Sequence, residues 1–268
     1  MNTKAYIDQT DLFPYEPIHQ KYMFTYILLS FMFFTYCNQK IHRKKSNWLQ
    51  QNTLLSFIHA SICSILLIIG VLRATEMLED PLSHANHFNY TLLAFSIGYF
   101  LYDFVDCVQN STTSVVPILI HHIIVIVFFS HVLYYTRNIG YAIYGLSLEI
   151  NSVFLHARRL IRWYSPFSKT IHFQNFLKIF IDIGNYVTFV LFRFGIVIAG
   201  LRALHREGFR LNPIARYFTV LITMAMGVFN FILFYRLVKN QLFGKQSKRQ
   251  KPSEDDVLVI DNRVLLPS

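Results

Sequence analysis

Asp103, Asp106, His121 and His122 stand inside long apolar runs of the chain. Asp103 and Asp106 are three positions apart, so a helix carries both carboxyls on one face, with Tyr99 a turn earlier. His121 and His122 are adjacent, and on a helix they point about 100° apart. One can then face an interior while the other reaches a neighbouring helix. Carboxylates beside imidazoles can run general acid–base chemistry, orient a nucleophilic imidazole, or bind a polar head group. More groups of the same kind follow. Glu149, Ser152 and His156 recur at steps of three and four; Asp182, Asn185 and Arg193, at three and eight, also fall near one face. Asn151 lies beside the first set, and His59 stands alone in Ser56-Phe57-Ile58-His59.

The elements that must position these groups are long and apolar. Tyr90–Val108 reads YTLLAFSIGYFLYDFVDCV, and Val115–Tyr135 reads VVPILIHHIIVIVFFSHVLYY. A bilayer takes about 20 mostly apolar residues to cross. Candidate spans fall at 22–37, 53–72, 89–109, 115–135, 139–156, 176–201 and 214–238, the first short and the fifth interrupted by Gly140, Gly145, Glu149 and Asn151. Glycines at 70, 98, 145, 184, 195, 200 and 227 permit close helix packing. The fold expected is all-α: a polytopic bundle of about seven transmembrane helices over 21–240, between a short polar segment 1–20 and a polar tail 241–268.

Composition agrees with a membrane chain. Mean hydropathy is +0.36 and charged residues make up 15%, where a soluble domain carries about 25%. The net charge of +10 does not point to nucleic acid, because the basic residues lie between apolar runs rather than along one face. They cluster at Lys40–Lys45, at Arg158, Arg159, Arg162 and Lys169, and from Arg236 to Lys251. Seven spans put these three clusters on the cytoplasmic side, with residue 1 outside. Arg202, Arg206 and Arg210 conflict with that orientation. No cleavable signal peptide is read in residues 1–20, which hold Asp8, Asp11 and Glu16.

Burial is costly for the charged groups. Asp103, Asp106, Glu149, Asp182 and Arg193 together would cost about 15 kcal/mol facing lipid, at roughly 3 kcal/mol each. They must face inward or lie near an interface, as Asp182 can with Lys178 a turn away. Four acids against one arginine leave negative charge for a histidinium or a protonated carboxyl to neutralise. The alternative to a functional site is a hydrogen-bond network that only fixes helix packing.

Spacing excludes several classes. A membrane di-iron enzyme needs repeated HxxxH or HxxHH boxes, and only His121-His122 and a loop His84-Ala85-Asn86-His87 are present. A heptahelical receptor lacks its Asp-Arg-Tyr signature. A zinc site from His and Asp stays open, but no metal and no cofactor is expected. Cys37, Cys63 and Cys107 form no CxxC pair and suggest no disulfide framework. The sequons at Asn89 and Asn110 are poorly placed for glycosylation.

Taken in order, the polar pieces resemble the TLC (TRAM–LAG1–CLN8) domain family over roughly residues 40–240. They are Asn52-Thr53 with Ser56 and His59, Gly98-Tyr99-Phe100 with Asp103 and Asp106, Leu119-Ile120-His121-His122, Glu149 and Asn151 with Arg158, and Asn185 with Arg193. Met77-Leu78-Glu79-Asp80, GYFLYDFVD and LEINSVFLHARRL resemble its subfamily of TLC domain-containing proteins 1 and 2. That resemblance implies a plasma-membrane protein, with the endoplasmic reticulum second. It implies control of phospholipid acyl composition and membrane fluidity, limiting incorporation of polyunsaturated, fluidising chains. The family also contains ceramide synthases, which implies the alternative: an acyl-CoA-dependent acyltransferase with His121, His122, Asp103 and Asp106 as its catalytic candidates. The chain departs from those enzymes in the fifth run, where Glu149 and Asn151 stand, so a non-enzymatic role is preferred. Either way, a cavity for a lipid or acyl head group is expected from His59, Asp103, Asp106, His121, His122, Glu149, Asn151, Asn185 and Arg193. The expected partners are membrane phospholipids or acyl chains, with acyl-CoA second.

Overall fold

The computed structural model describes residues 22–42, 47–75, 81, 86–110, 116–136, 138–164 and 171–247. Among these, every regular element is helical: α1 (Met23–His42), α2 (Trp48–Arg73), α3 (His87–Asn110), α4 (Val116–Tyr135), α5 (Ile139–Leu146), α6 (Leu148–Tyr164), α7 (Ile171–Thr188), a π turn (Phe189–Phe194), α8 (Gly195–Glu207) and α9 (Pro213–Ser247).

Helix starts follow from short polar side chains. Asn47 caps α2 by accepting from the Leu49 N–H, and Asn86 Oδ1 accepts from the Asn89 N–H at the head of α3. Asn212 Oδ1 takes the Ala215 N–H, while Pro213 supplies a first helical residue that lacks a donor. Between α4 and α5 the chain turns through Thr136 (φ 50°) and Asn138 (φ 63°). Asn tolerates this left-handed conformation, whereas a β-branched Thr is strained in it.

All seven expected runs are helical, but not all are simple. Five stretches are long and apolar enough to cross a membrane: Trp48–Arg73, His87–Asn110, Val116–Tyr135, Asn175–Arg210 and Pro213–Lys239. The first run falls short because α1 ends in polar Asn38-Gln39-Lys40. The fifth is not one helix over 139–156. It breaks at Ser147, whose Oγ donates to the Tyr144 carbonyl at 2.6 Å, leaving eight-residue α5 and seventeen-residue α6.

The chain divides into a unit ending at Gly227 and a second beginning at Val228, within α9. In the first, α3 is the central element and packs on α1, α2, α4 and α5, while α6 packs on α2 and α7. Tyr90, Leu93, Ile97, Leu133, Ile139 and Ile143 form its buried core. The α1–α3 approach is closest at Gly98, where a Cβ would lie 2.4 Å from the Ile27 carbonyl oxygen. Leu28, Ile65, Leu72, Ile123, Ile183 and Leu221 point outward. Such large apolar side chains, exposed on so many helices, require a lipid solvent. The chain is a multi-pass membrane protein.

In the second unit, the described part is the continuation of α9 to Ser247, with Val228, Phe231 and Tyr235 exposed. The segment 1–20, Arg43–Lys45, His84, Lys169 and the tail from Lys248 lie outside the described residues.

Candidate functional site

The buried acids of α3 are held by neutral donors and one imidazole. Asn52, one turn into α2, donates its amide to Asp103 Oδ1 at 2.5 Å and to Asp106 Oδ2 at 3.1 Å. Trp48 Nε1 donates to Asp106 Oδ2 at 2.9 Å, and Asn110 Nδ2 donates to Asp106 Oδ1 at 3.2 Å. His122 Nε2 faces Asp103 Oδ2 at 3.3 Å, both side chains being buried. His122 Nδ1 is buried with no hydrogen-bond partner. The expected one-face geometry of Asp103 and Asp106 is therefore present, and the shared donor is Asn52.

Below this pair, α2 and α3 meet through a stack. The His59 ring lies 3.8 Å from the Tyr99 ring at 12°, and Tyr99 donates its hydroxyl to Ser56 Oγ at 2.9 Å. His59 Nε2 meets the Cys63 thiol at 3.1 Å. Its Nδ1 points toward Glu149 Oε2 at 3.9 Å, beyond hydrogen-bond reach. His59 is thus not isolated: it stacks on Tyr99 of α3 and lies beside Glu149 of α6. All three cysteines are free.

The third group is built on Asn151 at full burial. Its Oδ1 accepts from Arg193 Nε at 2.6 Å, and its Nδ2 donates to the Asn185 carbonyl, Asn185 Oδ1 and Thr188 Oγ1, each at 3.0 Å. Arg193 Nη2 donates to Ser152 Oγ at 3.1 Å, and the guanidinium lies over Phe189. Eight residues of plain α-helix would leave Arg193 about 80° away from Asn185. The π turn Phe189–Phe194 widens the helix there and carries Arg193 back to the same face. Asp182 does not join them. It pairs with Arg158 at 2.7 Å and its side chain is 41% exposed.

The charges sort accordingly. Arg193 and Glu149 attract one another, Asp103 has His122, and Asp106 is satisfied by uncharged donors. Two adjacent histidines serve two places, because His121 does not face Asp103 but lines a cavity. Its walls are apolar, among them Phe100, Val125, Phe128, Val197 and Ile222. His121 and Glu149 are the ionisable groups in the lining, with hydroxyls from Tyr141, Tyr144 and Thr223. An apolar pocket with one acid and one imidazole suits an apolar chain bearing a polar end.

Sequence reasoning did not single out Trp48 or Thr188, and it named Asn52 and Ser152 among the polar pieces but not in the head-group cavity. Asn52, Ser56 and His59 recur at four and three residues on α2, a signal of one polar face. Trp48 and Thr188 carried no such signal. Among the described residues no group of three or more His, Cys, Asp or Glu side chains converges as a metal site. Asn89 of the first sequon is fully buried, and Ser111 and Thr112 of the second lie outside the described residues.

Known proteins are similar to this chain in sequence. The TLC domain (TRAM–LAG1–CLN8) family profile matches residues 50–239. A TLC domain-containing protein 2 of Danio rerio is 30% identical over 220 residues, 80% of this chain and 87% of that protein. TLC domain-containing protein 2 of Mus musculus is 30% identical over 118 residues, 44% of this chain and 38% of the relative. TLC domain-containing protein 1 of Homo sapiens is 28% identical over 116 residues, 43% of this chain and 47% of the relative. The chain belongs to the TLC domain family.

Proposed function

We propose that this TLC domain chain regulates phospholipid acyl composition and membrane fluidity. In this reading it limits incorporation of polyunsaturated, fluidising chains into phospholipids, at the plasma membrane. The observation that carries it is the apolar cavity with His121 and Glu149 in its lining. An acyl chain gains by burial against Phe128, Val197 and Ile222 at about 25 cal/mol per Å² of apolar surface. The imidazole and the carboxyl offer hydrogen bonds to an ester or other polar atom of the ligand. A kinked polyunsaturated chain and a straight one fill such a cavity differently, which is the physical basis for discrimination.

The test is to fill the cavity. Gly145 lines it, and a Cβ there finds Phe129 at 3.6 Å, so the backbone accepts a side chain. Cells without the protein should gain polyunsaturated phospholipid and fluidity without losing any lipid class. Wild-type protein should reverse this, and Gly145→Leu should reverse it poorly at equal abundance. Full reversal by Gly145→Leu would remove the cavity from the argument.

A second reading rests on His122 and Asp103. A carboxylate at 3.3 Å from one ring nitrogen, with the other nitrogen unpaired, is the arrangement that orients an imidazole as base or nucleophile. It would make the chain an acyl-CoA-dependent acyltransferase.

A further inference from the structure

Arg202, Arg206 and Arg210 sit where the positive-inside rule expects few basic residues. Two of them have a structural purpose in common. Arg202 and Arg206, one helical turn apart on α8, line a second cavity, open to the surface, together with His205, Pro81 and Tyr144; Arg202, His205 and Arg206 are exposed. Glu207 also borders it, but its carboxylate meets Arg210 at 3.5 Å. Among the described residues no carboxylate lies within ion-pair distance of Arg202 or Arg206. The cavity thus presents two arginines and a histidine with one acid that already has a partner.

α8 is the wall between this cavity and the apolar one. Gly195, Ile198, Ala199 and Ala203 face the basic side, while Ile196, Val197 and Gly200 face the apolar side. Tyr144 lines both. Tyr141, which lines the apolar cavity, donates its hydroxyl to the Gly200 carbonyl and ties α5 to the same wall. Past the arginines, Phe209 is 66% and Tyr217 74% exposed. Aromatic side chains beside cations mark the depth of lipid head groups.

We propose that the Arg202–His205–Arg206 cavity binds the phosphodiester of a membrane phospholipid whose acyl chain passes Tyr144 into the apolar cavity. Guanidinium and phosphate form charge-assisted, often bidentate hydrogen bonds, which suits two arginines on one helix face. The helix C-terminal dipole also favours cations in the last turn of α8, where His205 and Arg206 lie. The proposal rests on the acyl-cavity reading for the chain and adds the head-group site.

The test uses the full chain in detergent and native mass spectrometry with two probes of identical chains, dioleoylphosphatidylglycerol and dioleoylglycerol. Wild-type protein should bind the phospholipid at least about tenfold more tightly, a difference of about 1.4 kcal/mol. In Arg202→Gln/Arg206→Gln that preference should vanish while dioleoylglycerol binding persists, which also shows that the variant is folded. Equal affinity of wild type for both probes overturns the phosphate site and leaves the acyl cavity standing. No binding of either probe overturns both. An unchanged preference in the variant overturns the proposal. It is the result expected if the arginines were already engaged by Glu79 and Asp80, which precede Pro81 in the sequence. Displacement of the phospholipid by millimolar inorganic phosphate or coenzyme A, with the same arginine dependence, assigns the site to a soluble phosphate and overturns the membrane source.

Discussion

Arg193 and Asn151 are joined by a 2.6 Å hydrogen bond from the guanidinium Nε to the amide Oδ1, with both residues buried. The same amide donates through Nδ2 to Asn185 and Thr188. One side chain therefore couples the cation of the π turn to α7, and its two ends have opposite polarity. Arginine needs the acceptor and Asn185 needs the donor, so neither Asp nor Lys can replace Asn151 at both.

Asn151→Ala should strand Arg193 Nε and remove the donor from Asn185. A buried group left without its partner costs about 1–3 kcal/mol, and more when charged. The melting temperature in detergent should drop by several degrees. Asn151→Asp should drop less, because it keeps the contact to Arg193 and loses only the donors. If both variants melt like wild type, the network does not hold α6 to α7.

Gly98→Val should loosen α1 from α3. Even a Cβ would lie 2.4 Å from the Ile27 carbonyl and 2.5 Å from Ser30 Cβ, and the obstacle is largely backbone. Overpacking of this kind costs about 1–3 kcal/mol. The Ser30 hydroxyl, which donates to the Phe95 carbonyl at 2.6 Å, would be driven off its acceptor. Lower melting temperature with unchanged insertion is the expected result. A variant as stable as wild type would mean that α1 rides over α3 freely.

The helices were legible because apolar length is a one-dimensional signal, and so was the shared face of Asp103 and Asp106, because three steps of an α-helix are regular. The partners were not. His59 looked solitary because its stack on Tyr99 and its approach to Glu149 join three helices, and no spacing within α2 encodes them. Asp182, Asn185 and Arg193 read as lying near one face, yet Asp182 turns to Arg158, and the π turn that carries Arg193 to Asn151 is absent from a uniform helical wheel. The break at Ser147 was hinted at by Gly145, yet the turn itself depends on the Tyr144 carbonyl. The cavity was illegible for a simpler reason. Phe128, Val197 and Ile222 read as ordinary apolar positions, and only packing separates a wall from a core.

Orientation has its own expected outcome. The basic clusters at 40–45 and after Arg236 should share the cytoplasmic side, with residue 1 opposite. Tags at the two ends should then differ in protease protection. Equal protection would mean an even number of spans, and the broken α5–α6 run and short α1 are where a span would be lost.

His122→Ala and Asp103→Asn separate regulator from enzyme. His122→Ala removes the 3.3 Å pair and Asp103→Asn removes its negative charge, and both leave the Trp48 and Asn52 contacts to Asp106 in place. Purified protein, given acyl-CoA with a sphingoid base or a lysophospholipid, is expected to show no turnover, while control of acyl composition in cells falls in both variants at normal abundance. That pattern fits a lipid-binding regulator in which the pair shapes the site. Turnover by wild type that drops by about 100-fold or more in His122→Ala, the scale of a lost general base, would make the chain an acyltransferase. Asp103→Asn would then lose less, since an amide still orients the ring but cannot stabilise its charged form. Failure of both variants to accumulate, with partial rescue by His122→Gln, would assign the pair to packing instead. The choice of histidine over any neutral amide at position 122 would then have no chemical reason. Comparing the three substitutions at matched abundance decides among these outcomes.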